Sequence, residues 1–171
     1  QFSCTSPPNT GILIDDLRIA PIQPQKIIGV EVLPLTLPAL VGNEASALLK
    51  LKIETTGQRD PISLTELHAT LAGTTNHSDL LSLQLRHSAE QGRFLPNKPV
   101  ASLDATQIEN KPFVFSCPAS ACRLAEGINY VWISCRLDKK ANIDHRVGAA
   151  CQKITFSNGK TFKLDAAPSI Q

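Results

Sequence analysis

The sequence predicts an all-β chain, an antiparallel two-sheet β-sandwich of jelly-roll-like type. Three observations carry this. Apolar residues recur with period two in segment after segment. Clusters of turn residues separate the segments. No segment shows the 3.6-residue periodicity of an amphipathic helix. With 171 residues and 42% hydrophobic content, the chain is long enough to bury a core as one domain.

Residues 1–25 hold Pro7, Pro8, Pro21 and Pro24 and one short apolar piece, GILIDDLRI. They read as an extended arm ahead of a sandwich over 26–171. In IIGVEVL, residues Ile28, Val30 and Val32 share a face. ALLKLKIET is the clearest strand, with Leu49, Leu51 and Ile53 inward and Lys50, Lys52 and Glu54 outward. TELHATLAG turns Leu67, Ala69 and Leu71 inward. LLSLQLRHS turns Leu81, Leu83 and Leu85 inward, with Ser82, Gln84 and Arg86 outward. KPFVFSC and INYVWISCRL follow. CQKITF and KTFKLD close the chain around SNGK, an Asn-Gly hairpin turn that supplies the positive φ angles a tight turn requires.

Net charge is +2 and the pI is about 8.3. No Lys/Arg stripe with interleaved aromatics occurs, so nucleic acid is not an expected partner. The longest apolar stretch, VLPLTLPALVG, is cut by Pro34 and Pro38. It falls short of the ~18 residues of a membrane helix, so no membrane is expected either. The opening QFSCTSPPNTG has no basic-then-apolar leader and reads as a mature end after signal removal, or as a chosen boundary. Five cysteines, Cys4, Cys117, Cys122, Cys135 and Cys151, point to an oxidising compartment. CPASAC spaces Cys117 and Cys122 for a small-loop disulfide. Cys135 and Cys151 lie on successive strands and form a second candidate pair. Parity sets Cys135 with Val131 and Ile133 but Cys151 with Lys153 and Thr155, so a bulge is needed to reconcile them. Cys4 is left over. A four-cysteine zinc site is disfavoured, because the one close pair has the wrong spacing.

Catalytic motifs are missing. There is no Gly-x-Ser-x-Gly elbow and no His-Glu-x-x-His zinc pattern. The histidines His68, His77, His87 and His145 are scattered. Asp144 adjoins His145 in NIDHR, but neighbours in an extended segment point opposite ways, so a capped turn is the reading. Asp15 and Asp16 read as a solvated acidic turn rather than calcium ligands. No metal and no cofactor is expected. INYVWISCRL holds the only Tyr and the only Trp. One face carries Val131, Ile133, Cys135 and Leu137. The other carries Ile128, Tyr130, Trp132, Ser134 and Arg136, the mix of ring, hydroxyl and cation that a sugar platform uses. A second buried layer under a loop or the arm wants the same rings. Aromatic content is only 5%, low for a ring platform, and the pattern favours core packing.

Two stretches carry a more specific likeness. One is LHATLAGTTNHSDLLSLQL, a Leu-rich strand, Gly-Thr-Thr, a loop with Asp79, and another strand. The other is LAEGINYVWISCRLDKKANIDHRVGAACQKITFSNGK, with Asn-Tyr-x-Trp, a Leu-Asp-Lys turn, Ala-x-x-Asp-His-x-Val and Ala-Cys. Over residues 45–160 the chain resembles the N-terminal module attached to secreted bacterial exo-sialidases of the Asp-box propeller type. The resemblance implies a β-sandwich carbohydrate-binding module that is secreted, periplasmic or at the bacterial cell surface. Its implied partners are sialylated or galactose-terminated glycans and a linked sialidase catalytic domain.

No Ser-x-Asp-x-Gly-x-Thr-Trp box occurs, and RIAP at Arg18 to Pro21 departs from the Arg-Ile-Pro of sialidase sites. No hydrolase activity is therefore expected of this chain. A sialylated ligand offers a carboxylate, for which an Arg fork or polar cradle is the natural partner. Arg86, His87, Arg93, Arg136 and Arg146 are the options. Arg86 and Arg136 are favoured by their outer-face positions, and with His87, Tyr130 and Trp132 they form the expected ligand-binding set. The alternative is a structural spacer that packs on the propeller, marked by an exposed apolar patch.

Overall fold

The computed structural model describes residues 21–35, 37–89, 92–96, 98–104, 108, 111–164 and 169–170. Most of the expected arm, with Cys4, lies outside them. The strands are β1 (Lys26–Leu33), β2 (Ser46–Thr56), β3 (Leu64–Thr70), β4 (Leu80–Ala89) and β5 (Ala101–Asp104). They continue as β6 (Phe113–Ser116), β7 (Gly127–Leu137), β8 (Gly148–Phe156), β9 (Thr161–Lys163) and β10 (Ser169–Ile170). The helical content of the described residues is one 3-10 turn, His77–Asp79. Short β5 and β10 carry too little alternation to be read from sequence.

One sheet runs β1-β2-β7-β4-β5 and the other β10-β8-β3-β6, with β9 also paired to β8. Each strand pair is antiparallel. The connections β2–β3, β3–β4, β5–β6, β6–β7 and β7–β8 each pass from one sheet to the other. The predicted two-sheet sandwich is therefore the fold. Leu49, Leu51, Ile53, Leu67, Leu83, Leu85, Phe115, Val131, Ile133 and Ile154 are fully buried between the sheets. This is the burial that period-two alternation anticipates when one face of each sheet meets the other.

The described strand pairs carry five register shifts, and three of them overturn the expected alternation. In β1 the register shifts between Ile27 and Gly29. Ile28, expected inward, is 60% exposed and Ile27 enters the core instead. In β4 the shift lies between Leu80 and Ser82, so Leu80 is buried and Leu81 is turned out. In β3–β8, Ala69 pairs with Cys151 and His68 with Lys153, leaving Gln152 as the extra residue. That bulge brings Cys151 onto the core face with Ile154 and Phe156. An extra residue reverses parity beyond it, which a strict two-residue period does not anticipate.

The described cysteines are all thiols. Cys135 and Cys151, the expected second pair, sit in facing sheets because the β7–β8 connection crosses the sandwich. Burial pushes each thiol up to about 12. Cys117 and Cys122 are hydrogen-bonded neighbours, which lowers Cys117 and raises Cys122. Both are tied to β3, Cys117 N–H to Thr65 O and Cys122 O from Leu64 N–H. The SNGK turn also differs from expectation, since only Gly159 has a positive φ, +78°. Phe156 O accepts from Gly159 N–H there, and Asn158 Oδ1 accepts from Lys160 N–H.

The end of the sandwich where β2 leaves for β3 is closed by polar ties. Gln25 is buried; its Oε1 accepts from Ile62 N–H at 2.6 Å and its Nε2 donates to Leu124 O at 3.2 Å. Gly57, at φ +79°, lets the backbone of Gln23 and Pro24 pass close by. A Cβ there would lie 2.4 Å from Pro24 O and 2.7 Å from Gln23 O. Gly159 has a similar φ but open space around it. Gly57→Ala therefore costs both the left-handed penalty of about 1–2 kcal/mol and a backbone displacement, whereas Gly159→Ala costs the first alone. Thermal denaturation of the two variants should show the larger drop in Tm for Gly57→Ala.

Candidate functional site

The expected ligand-binding residues do not form one open surface. Arg86 and Trp132 are cross-strand neighbours on β4 and β7, on the face of the first sheet away from the core. Trp132 is only 3% exposed and Arg86 only 5%. The segment after β4 folds back over them. Phe94 meets the Trp132 ring edge-to-face with centroids 5.4 Å apart. Lys50 Nζ lies 4.5 Å from the Tyr130 ring centre and 4.8 Å from that of Trp132, and donates to Gly92 O at 2.6 Å. Cation–π attraction and a charge-assisted bond thus fasten this segment to the sheet.

Arg86 is held by Ser134 Oγ, 3.2 Å from its Nε, and by Gln84 Oε1 on Nη2. Its Nη1 and the indole Nε1 of Trp132 are buried with no hydrogen-bond partner among the described residues. Tyr130 is half-buried and Arg136 is exposed, 3.9 Å from Glu44. His87 falls on the opposite side of β4 from Arg86. There its Nε2 lies 3.4 Å from Oδ1 of Asn129, which is buried and bonded to the backbone of Ala125. So the sequence set splits into a covered pair (Arg86, Trp132), a rim residue (Tyr130), an exposed cation (Arg136) and an inward histidine (His87).

An open concavity lies at the end of the sandwich where three connectors meet, and smaller ones of about 260 and 280 Å³ lie beside Thr70–Ala72 and beside Gly57. A cleft of about 310 Å³ is walled by Pro38–Val41 from the β1–β2 connector, Asn76 and Asp79 from β3–β4, and Ala141–Ile143 with His145–Val147 from β7–β8. This is near the lower end of the size range of small-molecule sites. Leu80 and Leu137 form part of the lining. Asp79 closes the 3-10 turn that Asn76 caps, with Asn76 Oδ1 accepting from Ser78 N–H. Asp79 Oδ2 accepts from His145 Nδ1 at 2.6 Å, and Oδ1 from Asn76 Nδ2 at 3.4 Å. The Asp79 side chain is 16% exposed and that of His145 is 35%. Arg146 is exposed, and its backbone is pinned by Thr75 on both sides of the peptide.

His145 thus takes a carboxylate 66 residues away, while its sequence neighbour Asp144 turns to Asn142 through its own N–H. The sequence contains both partners, in SDLL and NIDHR, but no spacing rule links them. Arg146, one of the arginine options, lies on a connector, where strand parity assigns no face. Among the described residues no cluster of His, Cys, Asp or Glu is arranged to hold a metal ion. Nor is any helix among them long and apolar enough to cross a membrane.

The class defined by these features is a small antiparallel β-sandwich with a cleft built by its connectors. The family model for the N-terminal domain of BNR-repeat neuraminidase matches residues 28–160, and the chain belongs to that family. The family is this associated N-terminal domain and not the catalytic one. The match reaches further towards the N-terminus than the resemblance read from residues 45–160. Among solved structures, the chain is similar to the Hadza microbial sialidase Hz136, with a TM-score of 0.60 and 17% identity. The similarity covers 81% of this chain and only 30% of that sialidase. At that identity it speaks to the fold alone. No curated protein sequence matches the chain.

Two outcomes follow from these environments. Phe94→Ala should uncover Trp132, the sole tryptophan, and shift its emission to the red while the far-UV spectrum stays that of a β protein. Burial pushes the His87 imidazole below its ordinary value, outweighing the Asn129 bond that raises it. The unfolded chain therefore takes up this proton before the folded chain does, and stability falls as the pH drops through about 6.5. In His87→Gln that part of the pH dependence of Tm should disappear, as seen in the difference between the two proteins' melting curves from pH 7.5 to 5.

Proposed function

We propose that the chain is a non-catalytic carbohydrate-binding module of a secreted bacterial sialidase. In this reading it seats the ends of sialylated or galactose-terminated glycans and holds a linked catalytic domain near its substrate. The observation that carries the reading is the connector cleft, found in a domain whose family accompanies neuraminidases. Its wall joins aliphatic surface, for the C–H face of a sugar ring, to a carboxylate, an imidazole, amides and a guanidinium for hydroxyls and acidic groups. The gain is effective concentration, on the order of millimolar for a short flexible tether, with no change to the chemistry.

The covered Trp132–Arg86 face supports a structural role for those residues, so the binding surface is placed here at the cleft. Along β7, Trp132 lies five residues from Leu137, about 16 Å at ~3.3 Å per residue. Its fluorescence is then a poor reporter of cleft binding, and calorimetry is the better measurement. Titrations with lactose and sialyllactose should give a saturable signal with a Kd of about 1 mM or below, roughly 4 kcal/mol or more. Ile143→Ala should weaken it severalfold and Trp132→Phe leave it unchanged. Turnover of a fluorogenic sialoside by the chain would refute the non-catalytic reading.

A second reading has its own observation. Leu37, Leu40 and Ile143 are 50%, 51% and 86% exposed near the cleft mouth. Such an apolar rim suits a spacer that packs on a neighbouring domain without binding sugar. Flat titrations with both sugars would favour it.

A further inference from the structure

We infer that the connector cleft selects a neutral sugar ring presenting adjacent free hydroxyls, and discriminates against an acidic sugar. The inference rests on the glycan-binding reading and narrows its ligand class.

Asp79 is the reason. Of the charged groups that line the cleft it is less exposed than its partner His145, and Arg146 stands out in solvent. It is fixed on three sides. The 3-10 turn positions its backbone, His145 Nδ1 holds one carboxylate oxygen and Asn76 Nδ2 the other. A carboxylate only accepts hydrogen bonds, and its two oxygens offer about four lone-pair positions. Those left beside the two bonds already made suit O–H donors. Two neighbouring hydroxyls on a ring supply such donors in a fixed geometry, and the ring's C–H face would lie against Leu40, Val41 and Ile143.

An acidic sugar brings its own carboxylate into the same small space. Like charges brought together in a half-enclosed site disfavour one another. His145 offsets this in part, since it pairs with Asp79 and is charged only when protonated. Arg146 offsets it weakly, because an exposed guanidinium is screened by water and salt. The fixed carboxylate is therefore the group that decides. An exo-sialidase removes an acidic terminal sugar and leaves a neutral one behind. A module with this preference holds its enzyme on glycans already processed, beside others still intact.

The test is a paired titration of the chain with methyl β-galactopyranoside and with the methyl glycoside of N-acetylneuraminic acid. Calorimetry gives the affinities, and amide NMR shifts of the labelled chain give the location. The inference expects the galactoside to bind at least tenfold more tightly, with shifts at Asn76, Asp79 and Ile143–Val147. In Asp79→Asn the preference should narrow at least fivefold. Equal or tighter binding of the sialoside overturns the inference and leaves the glycan-binding reading standing. So do galactoside shifts confined to the outer face of β7. Binding of neither sugar overturns both. Should Asp79→Asn fail to fold, the wild-type affinity ratio and shift map decide alone.

Discussion

The double burial of β7 is the constraint on which the rest of the molecule depends. This strand pairs with β2 along one edge and β4 along the other over most of its length. Its inner residues Val131, Ile133 and Cys135 have no exposure, which ties the first sheet to the second through the core. Its outer residues Trp132 and Ser134 are equally hidden, which obliges something to cover that face. The Gly92–Phe94 segment does so, held by Lys50 and by ring contact with Trp132. A strand paired on both edges and covered on both faces has no freedom to slip, because a one-residue shift would exchange its aliphatic and polar sets. The registers of β2 and β4 are set against it.

Once those registers are set, the ends of the sandwich follow. Gly57, Gln25 and Asn129 tie one end with backbone-directed bonds, and beside them lies a cleft of about 280 Å³ lined by Pro21–Gln23, Thr56–Gln58 and Glu126. The other end receives three long connectors, from β1, β3 and β7, and these do not fill the space between them. The same winding that sends the chain from sheet to sheet thus gathers connector segments, aliphatic and polar, at one mouth. Binding residues on connectors held by a rigid sandwich are a common arrangement, since connectors change without disturbing the core.

Much of the fold was legible in the alternation of particular residues. Leu49, Leu51 and Ile53, Leu67 and Ala69, Leu83 and Leu85 all lie on the core face as their parity predicts. The errors fall at bulges. Ile28 and Leu81 lie outside because an extra residue resets the parity, and Cys151 lies inside for the same reason. The site was far less legible. Tyr130, Trp132, Arg86 and Arg136 were grouped by outward parity, yet outward from the core is not the same as open to solvent. Parity assigns a face; it does not say whether a distant segment will lie on that face.

The sequence by itself determined the class of fold, its main strands, the absence of familiar hydrolase motifs and the family. Each depends on information local in the chain, namely period, turn residues and short motifs. The tertiary structure alone decided that Trp132 and Arg86 are covered, that Cys135 and Cys151 lie in facing sheets, and that Asp79 meets His145. Those outcomes depend on contacts between residues tens of positions apart, and such contacts exist only after the sheets have paired. The physical reason is the range of the forces: local propensity acts over a few residues, whereas covering a face or building a cleft requires segments that are far apart in the chain.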